Sequence, residues 1–332
     1  MERDTYFDFI KGIAIIFVVL IHVLGCLYEY ESINFFILIV RNILNCAVPI
    51  FCFTSAYFIS QKDFSIKHNR RKVFNQIIRV YVPYCFCSLP YFILDIKNNH
   101  NIVFSIIKYI TCYYNIYYFV ILIIQFYILY SSFGKKLFLK EKLLFIINLL
   151  VILILTYYLD PKFSLPLVLF AGPIVCWCIF FSQGTKQSDS VKRHNLFVYI
   201  GLCILTLFLS VGETYFLIDR NKSLVGVGIK PSSILFSFFI MGLLFSCGLR
   251  EKYISKNGVV KLFEIVGRYS YGIYLTHFYL ILIANKFLGK YLKPNILLWI
   301  IFSSLIIFIN CVCLFCVKKI SKKISKFCFG VI

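Results

Sequence analysis

The sequence predicts an all-α fold: a polytopic membrane helix bundle of about ten transmembrane helices, with both termini in the cytoplasm. Three observations carry this. Of 332 residues, 61% are hydrophobic and 15% charged, and mean hydropathy is +0.86, which fits no soluble globular class. The apolar residues fall in runs near the ~20 residues a helix needs to cross a hydrocarbon core. The loops between runs alternate in charge, as the positive-inside rule requires.

Spans are predicted near 7–27, 35–60, 73–94, 114–133, 143–159, 164–182, 196–217, 232–249, 267–288 and 296–317. Basic residues crowd every second loop: Lys62, Arg70, Arg71 and Lys72, then Lys135 and Lys136, then Lys186 and Arg193, then Arg250 and Arg268, and finally the tail from Lys318 to Lys326. The opposite loops hold fewer, among them Lys97, Lys108, Lys162, Lys230 and Lys290. The crowded side is therefore read as cytoplasmic. The formal charge of +21 belongs to short loops beside a bilayer, and no nucleic-acid partner is expected. Residues 1–332 read as one integral membrane domain, the first run as an uncleaved span. The half-polar stretch 95–113 is predicted to hold a short interfacial helix.

In span one, Asp8 and Lys11 lie near one end and His22 deep inside. Ionisable groups within lipid usually face a protein interior or a wet cavity. Eleven residues turn a helix by ~1100°, close to three full turns, so Lys11 and His22 share a face about 16 Å apart along the axis. Asp8 can pair with Lys11 at i,i+3. Glu29 falls two turns beyond His22 on that face. Position alone also suits plainer roles, a snorkelling Lys11 and a packed, hydrogen-bonded His22.

In span two, Arg41 and Asn45 stand one turn apart, Pro49 frees a backbone carbonyl and Ser55 follows; a kinked, well-packed helix explains these equally. Span three opens with Arg70, Arg71, Lys72, Arg79 and Pro83. Such a cluster anchors lipid headgroups or holds a phosphorylated ligand, which arginine grips bidentately. Span four carries Gln125, helix–helix glue or a binder of hydroxyls. Span nine places His277 near mid-membrane, with Ser270 two turns earlier on the same side. A second intramembrane histidine weighs against packing alone.

The fourteen cysteines lie mainly in apolar runs and read as small filler, the Cys313-x-x-Cys316 pair included. No H-E-x-x-H, carboxylate cluster, G-x-S-x-G elbow or Walker loop occurs, so no metal site is expected.

Lys11-Gly-Ile-Ala-Ile-Ile-Phe-Val-Val-Leu-Ile-His22 resembles the first-helix signature of the acyltransferase 3 membrane family: a basic residue, ten others, then histidine. Val48-Pro-Ile-Phe-Cys-Phe-Thr-Ser55 is similar to its second-helix motif, with Ala56 where glycine is usual. The run ending at Arg79 and Pro83 resembles its third-helix start, and Tyr269-Ser-Tyr-Gly-Ile-Tyr-Leu-Thr-His277 its late S-Y-x-I-Y-L-x-H motif. Tyr118 stands where tryptophan is usual, and Lys11 where arginine is common. Span four looks most like members that acylate exopolysaccharide of the intercellular-adhesin type.

The resemblance implies an O-acyltransferase in the bacterial plasma membrane. It would move an acyl group, acetyl or succinyl, from cytoplasmic acyl-CoA, a co-substrate with no tightly bound cofactor, to a hydroxyl of a cell-surface or exported polysaccharide. Lys11, Arg70, Arg71 and Arg79 would hold the CoA phosphates. His22 would act as general base, or as a nucleophile through an acyl-imidazole, with Glu29 orienting or recharging it. Arg41, Ser55, Gln125, Ser270 and His277 would bind the acceptor or polarise the thioester carbonyl. Either role needs a neutral imidazole, so activity should fail at acid pH; a flat profile between pH 5 and 8 would argue against it. A polysaccharide or lipid-linked sugar exporter is the alternative, and a non-catalytic subunit of a glycan synthase a third reading.

Overall fold

A computed structural model of the chain describes residues 4–27, 35–62, 66–98, 101–159, 162, 165–187, 195–220, 228–251, 253, 258–288 and 295–331. Among these residues there is no strand, and helix occupies each of the ten predicted spans. Six stretches are long and apolar enough to cross a membrane: Thr5–Gly25, Phe35–Ser60, Arg70–Asn98, Glu141–Leu159, Leu196–Ile218 and Ile296–Ile320. The surface agrees with a lipid setting. Leu143, Ile146, Leu150 and Leu153 on one helix, and Phe197, Ile204, Phe208 and Leu209 on another, are exposed, an apolar expanse that a water-soluble monomer rarely shows. The fold is an all-α polytopic membrane bundle.

Helix α1 (Thr5–Leu27) is its axis. The N-terminal half buries Phe7, Ile10 and Ala14 in one apolar cluster, and the C-terminal half buries Ile15, Val19 and Val23 in a second. It meets α13 (Gly258–Arg268) at unusually close range. A Cβ at Gly12 would overlap the Phe263 carbonyl oxygen, and one at Gly267 the Asp8 carbonyl oxygen. Within a bilayer, where lipid tails are as apolar as leucine, such small-residue contact is what draws helices together.

Span two is two helices, α2 (Phe35–Leu44) and α3 (Ala47–Ser60). The sequence placed a kink at Pro49. The chain instead breaks in a turn at Asn45 and Cys46, and Pro49 sits in the first turn of α3, where a missing N–H leaves no bond unmade.

Helix α4 (Ile66–Asn98) contains Pro83 and Pro90. Proline disrupts the helical ladder around it, and three tyrosine hydroxyls donate to carbonyls nearby: Tyr271 to Val80 (2.5 Å), Tyr109 to Cys85 (2.7 Å) and Tyr279 to Cys87. Helix α5 (Ile102–Ile110) is a short helix within 95–113, where one was expected. The Lys108–Asp95 ion pair (2.9 Å) and the Tyr84 hydroxyl donating to the Tyr109 carbonyl (2.6 Å) fold it back along α4.

A 3-10 turn (Asn115–Tyr117) leads into α6 (Tyr118–Phe133), followed by α7 (Lys135–Phe138) and α8 (Glu141–Ile154). Span six departs most from a plain rod. It comprises α9 (Leu167–Phe170), a 3-10 turn (Ile174–Cys176) and α10 (Cys178–Gln187), interrupted at Gly172 and Pro173. Then come α11 (Leu196–Arg220) and α12 (Pro231–Ser246). After α13 follow α14 (Ser270–Leu288), α15 (Ile296–Ile320) and α16 (Lys322–Phe329).

Candidate active site

The shared face of α1 proves to be where the titratable groups gather. His22 and His277 face each other with ring centroids 5.3 Å apart, and Phe278 stands edge-on to His22 at 5.7 Å. His277 is fully buried. Its Nδ1 lies 2.9 Å from both the Ile273 and the Tyr274 carbonyl oxygens. Carbonyls only accept, so Nδ1 must carry the proton, which leaves Nε2 a bare lone pair. That Nε2 is buried and has no hydrogen-bond partner among the described residues. His22 is half-buried beside it.

The register of α14 is fixed from several sides. The Tyr117 hydroxyl donates to the Leu275 carbonyl (2.9 Å), and the Tyr274 hydroxyl to the Ile116 carbonyl (2.5 Å). Thr276 donates to Asn310 Oδ1 on α15 (2.7 Å). Trp299 Nε1 donates to the Leu20 carbonyl of α1 (2.9 Å), next to the turn that carries His22. Both histidines therefore sit on helices braced by buried hydrogen bonds, which are costly to break in a low dielectric.

At the other end of α1, Lys11 pairs with Asp8 (2.9 Å), as the i,i+3 spacing predicted. Arg268 reaches the same carboxylate (3.8 Å) and Glu264 (3.9 Å). Arg250 pairs with Asp4 (2.5 Å) and donates to the Tyr57 hydroxyl (2.8 Å). Tyr253 donates to Glu264 (2.8 Å), and burial with that carboxylate alongside pushes its hydroxyl pKa up. The result is a rim of cations matched with carboxylates, about 16 Å of helix below His22.

The structure places the remaining predicted residues as follows. Arg41 is buried, donates to Asn45 Oδ1, and stands close enough to His22 and Tyr118 for its charge to reach both. Arg70 and Arg71 are exposed at the start of α4. Arg79 is exposed farther along, within charge reach of Tyr127. Ser55 is half-buried on α3, and Ser270 buried at the start of α14, seven residues and about 10 Å of helix from His277. Gln125 is taken up by the break in span six: its Nε2 donates to the Gly172 carbonyl (3.0 Å), and its Oε1 accepts from the Ile174 N–H (3.1 Å). This is the glue role. Glu29 lies outside the described residues.

The sequence reading missed one group entirely. Lys230, taken for a loop cation, is buried, with Nζ 2.6 Å from Asn42 Oδ1 and 2.6 Å from Thr214 Oγ1. No local pattern announces it, because its partners come from α2 and α11; only the Pro231 that opens α12 hints that a helix begins there.

A family model described as an acyltransferase domain matches residues 4–317. Neither a curated protein nor a solved structure matches the chain. The match runs from the ion pairs at the foot of α1, through both histidines, to the end of α15, and the chain belongs to the acyltransferase 3 family of membrane acyltransferases.

Proposed function

We propose that the chain takes an acyl group, acetyl or succinyl, from acyl-CoA on the cytoplasmic side of a bacterial plasma membrane. It passes that group to a hydroxyl of a cell-surface or exported polysaccharide. The carrying observation is the histidine pair: two imidazoles in contact, one locked with its lone pair at Nε2, and no hydrogen-bond partner for that atom among the described residues.

Such a pair suits a base that must collect a proton from a weakly acidic hydroxyl. His22 takes the hydroxyl proton as the oxygen attacks the thioester carbonyl carbon. The C–O bond forms and the carbonyl π electrons move onto oxygen, where the Arg41 charge favours the oxyanion. When the tetrahedral intermediate collapses, the C–S bond breaks and the thiolate of CoA takes the proton from the His22 imidazolium. Once His22 has taken the proton, the lone pair on His277 Nε2 is the neighbouring acceptor that steadies the imidazolium. The cationic rim of Lys11, Arg268 and Arg250, with Arg70, Arg71 and Arg79 on α4, supports CoA phosphates arriving from that side. Lys11, Arg268 and Arg250 each share their charge with a carboxylate, so Arg70, Arg71 and Arg79 are the stronger holders.

The test compares cells carrying the wild type or His22→Ala at matched protein level, measuring amount and ester content of surface polysaccharide. Polymer that persists without O-acyl groups is the expected result. Unchanged esters would reduce His22 to a packing residue and remove this mechanism. Loss of surface polymer with esters intact on an internal pool would favour an exporter.

A further inference from the structure

The last helix, α16, lies beyond the residues that the family model matches, and the transfer step above does not use it. Ser321 opens it by accepting from the Ile324 N–H (3.3 Å). Gly330 closes it at φ +64°, with the Gly330 N–H on the Lys326 carbonyl (3.1 Å) and the Val331 N–H on the Ser325 carbonyl (3.2 Å). At about 100° per residue the helix between them has three sides. Ser325, Cys328 and Phe329 form the side that packs on the bundle. Ser325 is buried, the Cys328 carbonyl accepts from Cys87 Sγ (3.3 Å), and the Phe329 ring stands edge-on to Phe86 of α4 at 6.0 Å. Past the turn, Val331 is buried, and a Cβ on Gly272 of α14 would stand 2.9 Å from it. The second side carries Lys322, Lys326 and Lys323, all exposed. The third carries Phe327 and Ile324, exposed at 48% and 51%.

The preceding helix shows at what depth α16 lies. Phe308, Val312, Phe315 and Lys319 recur every three or four residues on one face of α15, and all four are exposed. The stripe is apolar for three members and cationic at the fourth, which marks the passage from acyl chains to headgroups. Helix α16 starts three residues later, on the side where basic loops crowd. Other cations on that side are matched within the chain: Lys11 with Asp8, Arg250 with Asp4 and Lys186 with Glu141. Among the described residues none of Lys319, Lys322, Lys323 and Lys326 pairs with a carboxylate. Like charges this close on one helix repel, so the counter-charge has to come from outside the chain.

We propose that α16, together with Lys319, is a seat for anionic phospholipid headgroups of the cytoplasmic leaflet. The lysines hold the lipid phosphates, and Ile324 and Phe327 enter the acyl region beside them. A basic helix with an apolar side is suited to such a surface. A soluble phosphate ester would use the lysines and leave Ile324 and Phe327 bare, whereas a lipid covers both. The seat is also built in advance, because the inner side of α16 is already fixed to α4 and α14 and no ordering of a loose tail is needed. The proposal does not rest on the acyl-transfer reading.

The test takes the full chain in neutral maltoside micelles with equal amounts of dioleoyl phosphatidylglycerol and dioleoyl phosphatidylcholine. Retained lipid is counted by native mass spectrometry. The wild type should retain phosphatidylglycerol about tenfold over phosphatidylcholine. One lysine near an anionic surface is worth a factor of about five. Replacing three at once, Lys322→Gln with Lys323→Gln and Lys326→Gln, should therefore cut the preference at least about fivefold. Ile324→Ser with Phe327→Ser keeps every charge and should still lower the phosphatidylglycerol retained. Lys136→Gln with Lys140→Gln and Lys142→Gln removes three exposed lysines between α6 and the first turn of α8, and should leave the preference unchanged. In the wild type itself, raising salt about tenfold should weaken the preference by screening, a readout that needs no variant to fold. Equal retention of the two lipids by the wild type would overturn the seat. So would the same loss in the α6–α8 variant, which would make the effect one of total charge. Displacement by coenzyme A of the lipid that the α16 lysine variant lacks would assign these lysines to a soluble phosphate and overturn it as well.

Discussion

Replacing Gly12 by alanine should separate α1, which carries His22, from α13, which leads into the helix that carries His277. The added Cβ would overlap the Phe263 carbonyl oxygen and stand 2.9 Å from its carbon and 3.3 Å from Gly267 N, where ordinary contact begins at 3.4 Å. The neighbours are backbone, which cannot rotate aside as a side chain can. The carbon alone asks for half an ångström, and the oxygen for more, so α1 and α13 must part by about 1 Å. Alanine gains about 1 kcal/mol over glycine in helix propensity. Overpacking a close contact costs about 1–3 kcal/mol, so the net sign is destabilising. A misplacement of about 1 Å at the reacting groups can cost about 100-fold in rate. His22 lies ten residues along from Gly12, as His277 does from Gly267, so the opened contact is passed to the pair. The control sits on the same helix: Gly25 has nothing within 4 Å of its ideal Cβ, and Gly25→Ala should be neutral or stabilising by up to about 1 kcal/mol. Melting of the purified proteins in detergent and ester transfer in nanodiscs would be measured side by side. Wild-type melting and transfer in Gly12→Ala would refute the argument that glycine is there for close approach.

Two further outcomes follow from buried hydrogen bonds. His277→Ala should lower ester transfer by about 100-fold, the scale of a misplaced reacting group, with CoA binding retained; transfer near the wild-type rate would remove His277 from the reaction. Gln125→Leu should lower the melting temperature, because the Gly172 carbonyl and the Ile174 N–H lose partners at about 1–3 kcal/mol each; unchanged melting would show that the break in span six holds itself.

Much of the architecture was legible in the sequence because membrane helices are written in composition and length. The face shared by Asp8, Lys11 and His22 follows from α-helical period alone, and the Asp8–Lys11 pair forms as spaced. What was not legible depends on partners far along the chain. The Asn45 turn looks like ordinary helix, and Pro49 drew attention to the wrong residue. The Gly172-Pro173 pair in span six is a local breaker signal, but hydrophobicity over 164–182 hides it. Lys230 reads as a loop cation until Asn42 and Thr214 close around it. Gln125 illustrates the same limit from the other side: a polar residue in a span was an equal candidate for substrate and for scaffold, and only the positions of Gly172 and Ile174 decide between them.

The lock on His277 has a consequence for the membrane as a barrier. Imidazoles in series relay protons when each can receive on one nitrogen and release from the other. His277 can receive only at Nε2, and the proton on Nδ1 is directed at two amide carbonyls that cannot pass it on. On the proposed mechanism, a proton lifted from a hydroxyl would find no onward path through His277 and would return through the thiolate that leaves. The bundle can keep two histidines in contact without joining them into a proton wire.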